Sequence, residues 1–537
     1  MRARGFPFPW QLWLNAIALF GALGCSVNPA TGKPQLVLMS EAHEAELGRK
    51  AAEQVAQEIG LVDDPALAEY VAAVGQRLVR VSVQPDQHFE FHVVDMREPN
   101  AFALPGGYVY VSRGLLAISN SEDELANVLG HEIGHVLARH AAQRETRALP
   151  RSFLTGLTTL AAGIVGGSEA AALVGSIGQT ATSGLLASYS RDQEREADKL
   201  GQELAARAGY NPAGMSLFLG TLERATALET KGSRRPSFFD SHPSTPERVS
   251  TTEAFSKQLV ISPGTPIVNS RAAFLQKLDG LIVGDDAREG IFEDTTFLHP
   301  ELGFHVRFPD GWKTSNGKTV VGAASPAQDA VVAVEFQARG TDPRAAAERF
   351  VADQRIVVSK AGALQVSGLS AFRVVGVAQT QRGEVPLMLT FVVHREVIYR
   401  ITGLAGASVF QERMTAFVST ADSFGALSSA ERARISQNRL RLVRALPGET
   451  IDQLAVRVRS VWSPQQITIA NALETGTGLQ GGFLLKIARA EPLSPSPGAT
   501  RGDDAQDPLG GAASRGPRGV GDPVRSAFCS AAWDTAS

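Results

Sequence analysis

His131-Glu132-Ile133-Gly134-His135, set inside the stretch Ser121 to His140, is where the fold of this 537-residue chain declares itself. Leu125, Val128 and Leu129 recur at three- and four-residue steps behind Ser121 and Glu124, a pair that reads as a capping box opening a helix. On a helix, two imidazoles four residues apart lie about 40° apart around the axis, so both reach one ion. Glu132 stands beside them, where it can hold and deprotonate a water activated by Zn²⁺. A chance HExxH in a chain this long has odds on the order of one in a hundred, and the apolar, capped flanks lower them further.

Two histidines leave a metal site incomplete. His140, nine residues after His131, falls roughly 180° round the helix and is expected to point away, as a surface or helix-end residue. Ala141 stands where a metzincin motif would have its third histidine. The run Ser190-Arg191-Asp192-Gln193-Glu194-Arg195-Glu196-Ala197-Asp198 offers carboxylates instead. Glu194 and Asp198 are four apart and share a helical face. One can bind the ion while the other accepts the free N–H of a ligating histidine. Glu196 points about 200° from Glu194 and is the poorer candidate.

Working outward, Leu67, Tyr70, Val71, Val74, Leu78 and Val81 give an amphipathic helix opening at Pro65. Phe89 to Asp95 and Tyr108 to Ser112 alternate as strands, the second after Pro105-Gly106-Gly107. Further helices are expected from Ser190 and from Asn211-Pro212. The stretch Ala148 to Ser190 is rich in Gly, Ala, Ser and Thr. Its glycines and hydroxyls argue against a membrane span, and it reads as a lid or packed hairpin over the site. Residues 258–295 read as a linker. From 296 to 427, runs such as Phe304 to Phe308, Val332 to Phe336 and Met388 to Val393 surround one helix, Pro343 to Val357, an α+β module. A small unit follows over 428–490, and the Pro-, Gly-, Ser- and Ala-rich tail 491–537 reads as disordered. No repeat of fixed period is present.

The pairing of HEIGH with an E-x-E-A-D helix resembles the HtpX/BepA-like zinc metallopeptidase family, which includes the Ste-type CAAX prenyl endopeptidases. Asn28-Pro29 with Thr31-Gly32-Lys33, Asn100 to Gly107, and Ser241-His242-Pro243 with Arg248 are similar to further segments of that family. The likeness covers about Cys25 to Phe255. It implies a helix-rich α+β gluzincin-type metallopeptidase domain over 25–257, within a multidomain chain. One Zn²⁺ would be held by His131, His135 and Glu194, with Asp198 behind the ligands and Glu132 as general base. It also implies a substrate-binding strand edge at Asn100, Ala101, Phe102 and Ala103, with Arg248 orienting the loop or binding substrate. His242 would either donate to the oxyanion or plug the open metal position. Gly303-Phe304 and Phe308-Pro309-Asp310-Gly311-Trp312 resemble a PsbP-like domain, and Pro447-Gly448-Glu449-Thr450-Ile451 a LysM-like unit, which would add peptidoglycan as a partner.

With 52 Lys and Arg against 55 Asp and Glu, and a net charge of -3, nothing favours a nucleic-acid partner. Arg2 and Arg4 precede an apolar run from about Trp10 to Leu23, a signal peptide over 1–24. Ala22-Leu23-Gly24-Cys25 resembles a bacterial lipobox, although Ala22 sits where Leu is usual, and implies a lipid on Cys25. Ser26, rather than Asp, after the cysteine implies a periplasm-facing outer-membrane lipoprotein. Cys529 is the second of only two cysteines, so with Cys25 acylated it stands alone and no disulfide framework is available. These readings converge on an endopeptidase acting on proteins or peptides of the cell envelope. The rival reading is a chaperone or scaffold with a latent, His-plugged site.

Overall fold

The computed structural model describes residues 25–144, 188–229, 238–380 and 383–493, except 29, 33, 38, 244, 245, 475 and 477. The signal peptide, most of the expected lid and nearly all of the C-terminal tail therefore lie outside the described residues. The chain divides into two compact units. Of the described residues, the first holds those up to Val283 together with Arg439–Arg489, and the second holds Gly284–Asn438 together with 490–493.

The first unit opens with β1 (Cys25–Val27) antiparallel to β2 (Pro34–Leu36). Helix Pro65–Arg80 starts where Asp64 accepts the Leu67 N–H and proline occupies the first turn, and it buries Leu67, Tyr70, Val71, Val74 and Leu78. A three-stranded sheet follows from β3 (Glu90–Val94), β4 (Ala101–Leu104) and β5 (Tyr108–Ser112), in the order β3-β5-β4. β3 runs parallel to β5, and β4 antiparallel. The β4–β5 turn needs its glycines: Gly107 has φ +95°, and a Cβ there would meet the His88 carbonyl oxygen at 2.0 Å.

The motif helix spans Glu122–Leu137, and only Asp123 and Val136 of its 16 residues escape full burial. Ser121 caps it by accepting the Glu124 N–H, but Glu124 does not complete the expected box; its carboxylate accepts from the Asn120 N–H at 2.9 Å. Helix Arg191–Arg207 carries a true capping box between Ser190 and Gln193. The two helices meet at glycine: a Cβ on Gly201 would come within 2.6 Å of the His131 backbone nitrogen, and one on Gly130 within 2.8 Å of the Gly201 oxygen.

The segment expected as a linker contributes helix Arg271–Leu278, whose Phe274, Leu275 and Leu278 are buried in the same core as the motif helix. Leu440 and Ala488 belong to that core too. Lys486, fully buried, donates from Nζ to the Ser119 carbonyl at 2.5 Å, and Arg271 donates to the Leu484 carbonyl. Residues 439–489 are thus folded into the first unit, and the unit boundaries differ from the expected ones at 257 and 428. There, two helices, Ile451–Val458 and Pro464–Ala470, lie in sequence between the paired strands Ser436–Arg444 and Leu484–Pro492.

The second unit is α+β. A four-stranded antiparallel sheet is made of strands Ile291–Glu293, Thr296–His299, Phe304–Arg307 and Gly425–Ala426. A seven-stranded antiparallel sheet runs from Lys313–Asn316 at one edge to Ile356–Val366 at the other. Strand Gly383–His394 shows why both its faces are apolar. Leu387, Leu389 and Phe391 share a core with helix Pro343–Asp353, while Met388 and Val392 share another with helix Phe410–Asp422. The first of these helices stops short of the expected Val357, because Arg355 takes φ +51° and the chain leaves as a strand from Ile356. Among the described residues no helix is long and apolar enough to cross a membrane.

Candidate metal centre

Two helices and one loop bring the site together. His131 and His135 come one turn apart on the motif helix, Glu194 comes from the first turn of helix Arg191–Arg207, and His242 follows the short helix Phe238–Ser241. All four are buried, and each offers one donor atom within 4.8 Å of the others. His131 Nε2 lies 3.0 Å from His135 Nε2 and 3.2 Å from His242 Nδ1. Glu194 Oε1 lies 3.0 Å from His242 Nδ1 and 3.3 Å from His135 Nε2, while its Oε2 is 3.6 Å from His131 Nε2. Zinc–nitrogen and zinc–oxygen bonds of ~2.0–2.1 Å in a tetrahedron imply donor–donor edges of ~3.3 Å, which these separations bracket. The donor set therefore fits a divalent ion of that size, and the orphaned polar atoms agree: both Glu132 oxygens and His242 Nε2 are buried without a hydrogen-bond partner.

Charge inside the cage is arranged around that demand. Burial opposes ionisation of Glu194, but His242, His135 and His131 overcome it and hold the carboxyl well below the usual range. Burial likewise opposes charge on Asp198, and Arg248 with His131 outweighs it. Glu132 is the contrast: burial raises its pKa, with His242 and His131 only partly offsetting the rise. Burial pushes His135 well below 6.5 despite the pull of Glu194, so its ring is neutral, as a ligand must be. For His242 burial works downward, yet Glu194 and Glu132 raise it.

Behind the donors, His131 Nδ1 lies 2.9 Å from Asp198 Oδ1. Asp198 in turn receives both Nε and Nη2 of Arg248 at 2.8 and 2.7 Å, and Arg248 Nη1 is 2.8 Å from Glu194 Oε2. Arg248 also donates weakly to the carbonyls of His242 and Pro243 at 3.5 and 3.4 Å. Its guanidinium is buried and faces Asp198, Glu194 and the carbonyls of the His242 loop. Phe238 stacks on the His242 ring at 4.2 Å, and Tyr189 on His135 at 3.9 Å.

The helical extrapolation for His140 fails. The motif helix ends at Leu137, Arg139 takes φ +55°, and helix resumes at His140, which is fully buried with Nδ1 2.8 Å from His135 Nδ1. Glu196, the poorer candidate on geometry, sits 3.1 Å from His140 Nε2. Neither residue carried a sequence signal, because no Gly or Asn marks the left-handed position at 139.

Asn100 is buried just ahead of β4, and Ala101, Phe102, Ala103 and Leu104 turn their side chains into the protein. Of the two backbone edges of β4, one pairs with β5 and the other meets no strand among the described residues. A cavity of about 580 Å³ runs beside its end, lined by His135, Tyr189, Ala103, Leu104, Pro105 and the 83–88 loop. Cys25 enters β1 opposite Leu36. Asn28 is buried against the C-terminal end of the motif helix, its Nδ2 3.5 Å from the Ala138 oxygen.

Residues 65–255 match Peptidase family M48. Over 225 residues the chain is 29% identical to the Beta-barrel assembly-enhancing protease of Escherichia coli (strain K12), which covers 41% of this chain and 45% of that protein. Over 185 residues it is 35% identical to the Mitochondrial metalloendopeptidase OMA1 of Schizosaccharomyces pombe, covering 34% of this chain and 51% of that one. The chain thus spans about half the length of the curated relatives it matches. Among solved structures, cyanobacterial PsbP (CyanoP) from Synechocystis sp. PCC 6803 aligns with 24% of this chain and 91% of its own, at 12% identity and a TM-score of 0.22.

Proposed function

We propose, from the match of residues 65–255 to Peptidase family M48, that the protein is a zinc-dependent endopeptidase of the bacterial cell envelope. One observation carries the reading: an orphaned, buried Glu132 carboxylate beside three converging ligands, His131, His135 and Glu194. Two imidazoles and a carboxylate suit zinc among the common divalent ions. Zinc held there supplies Lewis-acid polarisation to the scissile carbonyl and the attacking water. Glu132 takes the water's proton on its carboxylate and returns it to the leaving amine. Burial raises its pKa above the usual carboxylate value, the direction that favours accepting a proton. Asp198 fixes the His131 tautomer, and Arg248 holds Asp198, Glu194 and the His242 loop in register.

Substrate enters as an added strand on the open edge of β4, recognised mainly through backbone, because the β4 side chains at 101–104 are turned inward. The substrates are envelope proteins under quality control, a reading supported by the lipobox-like Cys25 segment and by the bacterial relative's name. A lipid on Cys25 would hold the chain at the outer membrane, facing the periplasm, and the LysM-like stretch would add peptidoglycan contact.

His242 supports a second reading. With its Nδ1 inside the cage the protein supplies four donors, so no corner remains for water. The site is then latent until the His242 loop withdraws, after which its ring can donate to the oxyanion. A chaperone or scaffold would keep it closed throughout. Glu132→Gln separates the readings: the full chain and the variant are compared for zinc content and casein cleavage. Zinc retained with cleavage down ~10²–10⁴-fold supports the peptidase. Cleavage by the variant at the wild-type rate overturns it, and a wild type that binds zinc but never cleaves supports the scaffold.

A further inference from the structure

We propose that His140 is a positioning residue, relaying the carboxylate of Glu196 to the metal-facing ring of His135. The inference rests on the zinc reading above and assigns a role to two residues that it leaves unused.

His135 turns Nε2 into the cage, 3.0 Å from His131 Nε2 and 3.3 Å from Glu194 Oε1. Its other nitrogen, Nδ1, is thereby directed away, and it lies 2.8 Å from His140 Nδ1. A nitrogen–nitrogen contact of that length holds one proton. An imidazole that gives Nε2 to a cation carries its own proton on Nδ1, so His135 donates and His140 Nδ1 accepts. His140 then has its proton on Nε2, which lies 3.1 Å from Glu196 Oε2 and donates to it. One tautomer assignment satisfies both contacts at once, and it runs from the carboxylate to the ligand without a break.

The surroundings hold that line in place. His140 is fully buried, so water does not compete for either nitrogen. Arg139, at φ +55°, interrupts the helix just ahead of His140, whose Nδ1 lies 2.8 Å from His135 Nδ1. The His140 carbonyl accepts from Gln193 Nε2 at 3.4 Å, tying the turn to the helix that carries Glu194 and Glu196. The two ligating histidines are therefore supported alike. His131 meets Asp198 directly, and His135 meets Glu196 through one intervening ring. Helix Arg191–Arg207 thus supplies three carboxylates with three tasks, although Glu196 lies away from the face that Glu194 and Asp198 share. A partner of this kind is worth about 10–100-fold in metal affinity.

The test uses the full chain, with Zn²⁺ affinity measured by chelator competition and Co²⁺ binding followed by its visible absorption. His140→Phe removes the acceptor and should weaken Zn²⁺ by about 10–100-fold and alter the Co²⁺ spectrum. His140→Asn restores an acceptor near the Nδ1 position and should recover to within ~3-fold of wild type, which a loss of packing alone would not predict. Glu196→Ala should weaken Zn²⁺ by roughly 3–10-fold. A folded His140→Phe that binds Zn²⁺ like wild type overturns the proposal, as does His140→Asn being no better than His140→Phe. Should His140→Phe not fold, Glu196→Ala decides, and wild-type affinity there overturns it. If the wild type takes no Zn²⁺, the metal reading fails and this inference with it; unchanged affinity in the variants alone strikes only the relay.

Discussion

Arg248→Met tests how the cage is held. The change keeps an apolar stem but removes two bonds to Asp198 at 2.8 and 2.7 Å, the contact with Glu194 at 2.8 Å, and the grip on the His242 and Pro243 carbonyls. Breaking one buried ion pair costs ~3–5 kcal/mol, because an uncompensated charge stays behind. Here two buried carboxylates lose the same cation, so the metal-free protein should lie near the top of that range, at about 5 kcal/mol. A divalent ion beside Glu194 offsets part of the loss, leaving roughly 2–3 kcal/mol in the zinc-loaded protein. Urea unfolding followed by circular dichroism, with hydrogen exchange over the motif helix to isolate the first unit, measures both values. Adding Asp198→Asn removes the charge that Arg248 answers and should return roughly 1.5–3 kcal/mol as a coupling energy. Arg248→Lys should recover less than half, since an ammonium cannot bridge both carboxylates in fork geometry. A metal-free Arg248→Met within ~1 kcal/mol of wild type, or strict additivity with Asp198→Asn, would refute the reasoning.

Gly201→Ala should push the two site helices apart, since its Cβ would sit 2.6 Å from the His131 nitrogen. We expect ~1–3 kcal/mol of destabilisation and weaker zinc binding; unchanged affinity would mean that this close approach does not set the ligand spacing. In the second unit, burial pushes the His299 ring down to about 4, and its Nδ1 accepts the Leu302 N–H at 3.3 Å. The folded pKa lies below the unfolded 6.5, so stability present above 6.5 is lost as pH falls towards 4, where the unfolded chain gains a proton the fold refuses. Thermal unfolding at pH 7.5 and 4.5 should show a steeper loss in wild type than in His299→Asn, and equal slopes would count against it.

The two carboxylates Glu194 and Asp198, the HExxH histidines and the caps at Ser121 and Ser190 were all legible in the chain. Each depends on spacing within one helix, and helical spacing is a property of the local backbone. Helix Pro65–Arg80 and strand β5 were legible for the same reason. Periodicity misled where a helix stopped early. Helical spacing would direct His140 outward, but the helix ends at Leu137; apolar spacing would extend the Pro343 helix past Arg355, but it ends at Asp353. In both cases a non-glycine residue at positive φ turned the chain, and such a residue carries no compositional mark.

What the amino-acid order determined alone was the chemistry on offer: two imidazoles and a glutamate on one helix, carboxylates four apart on another, and a histidine after serine in a short loop. What only the tertiary structure decided was how these parts meet. His242 lies within 3.2 Å of His131, Glu196 reaches His135 through a second ring, and a lysine 367 residues after Ser119 donates to its carbonyl. Local sequence sets the torsions and the period of each segment. Which segments touch follows from burying apolar faces across long separations, and from the chance for two helices to cross where glycine leaves no side chain between them.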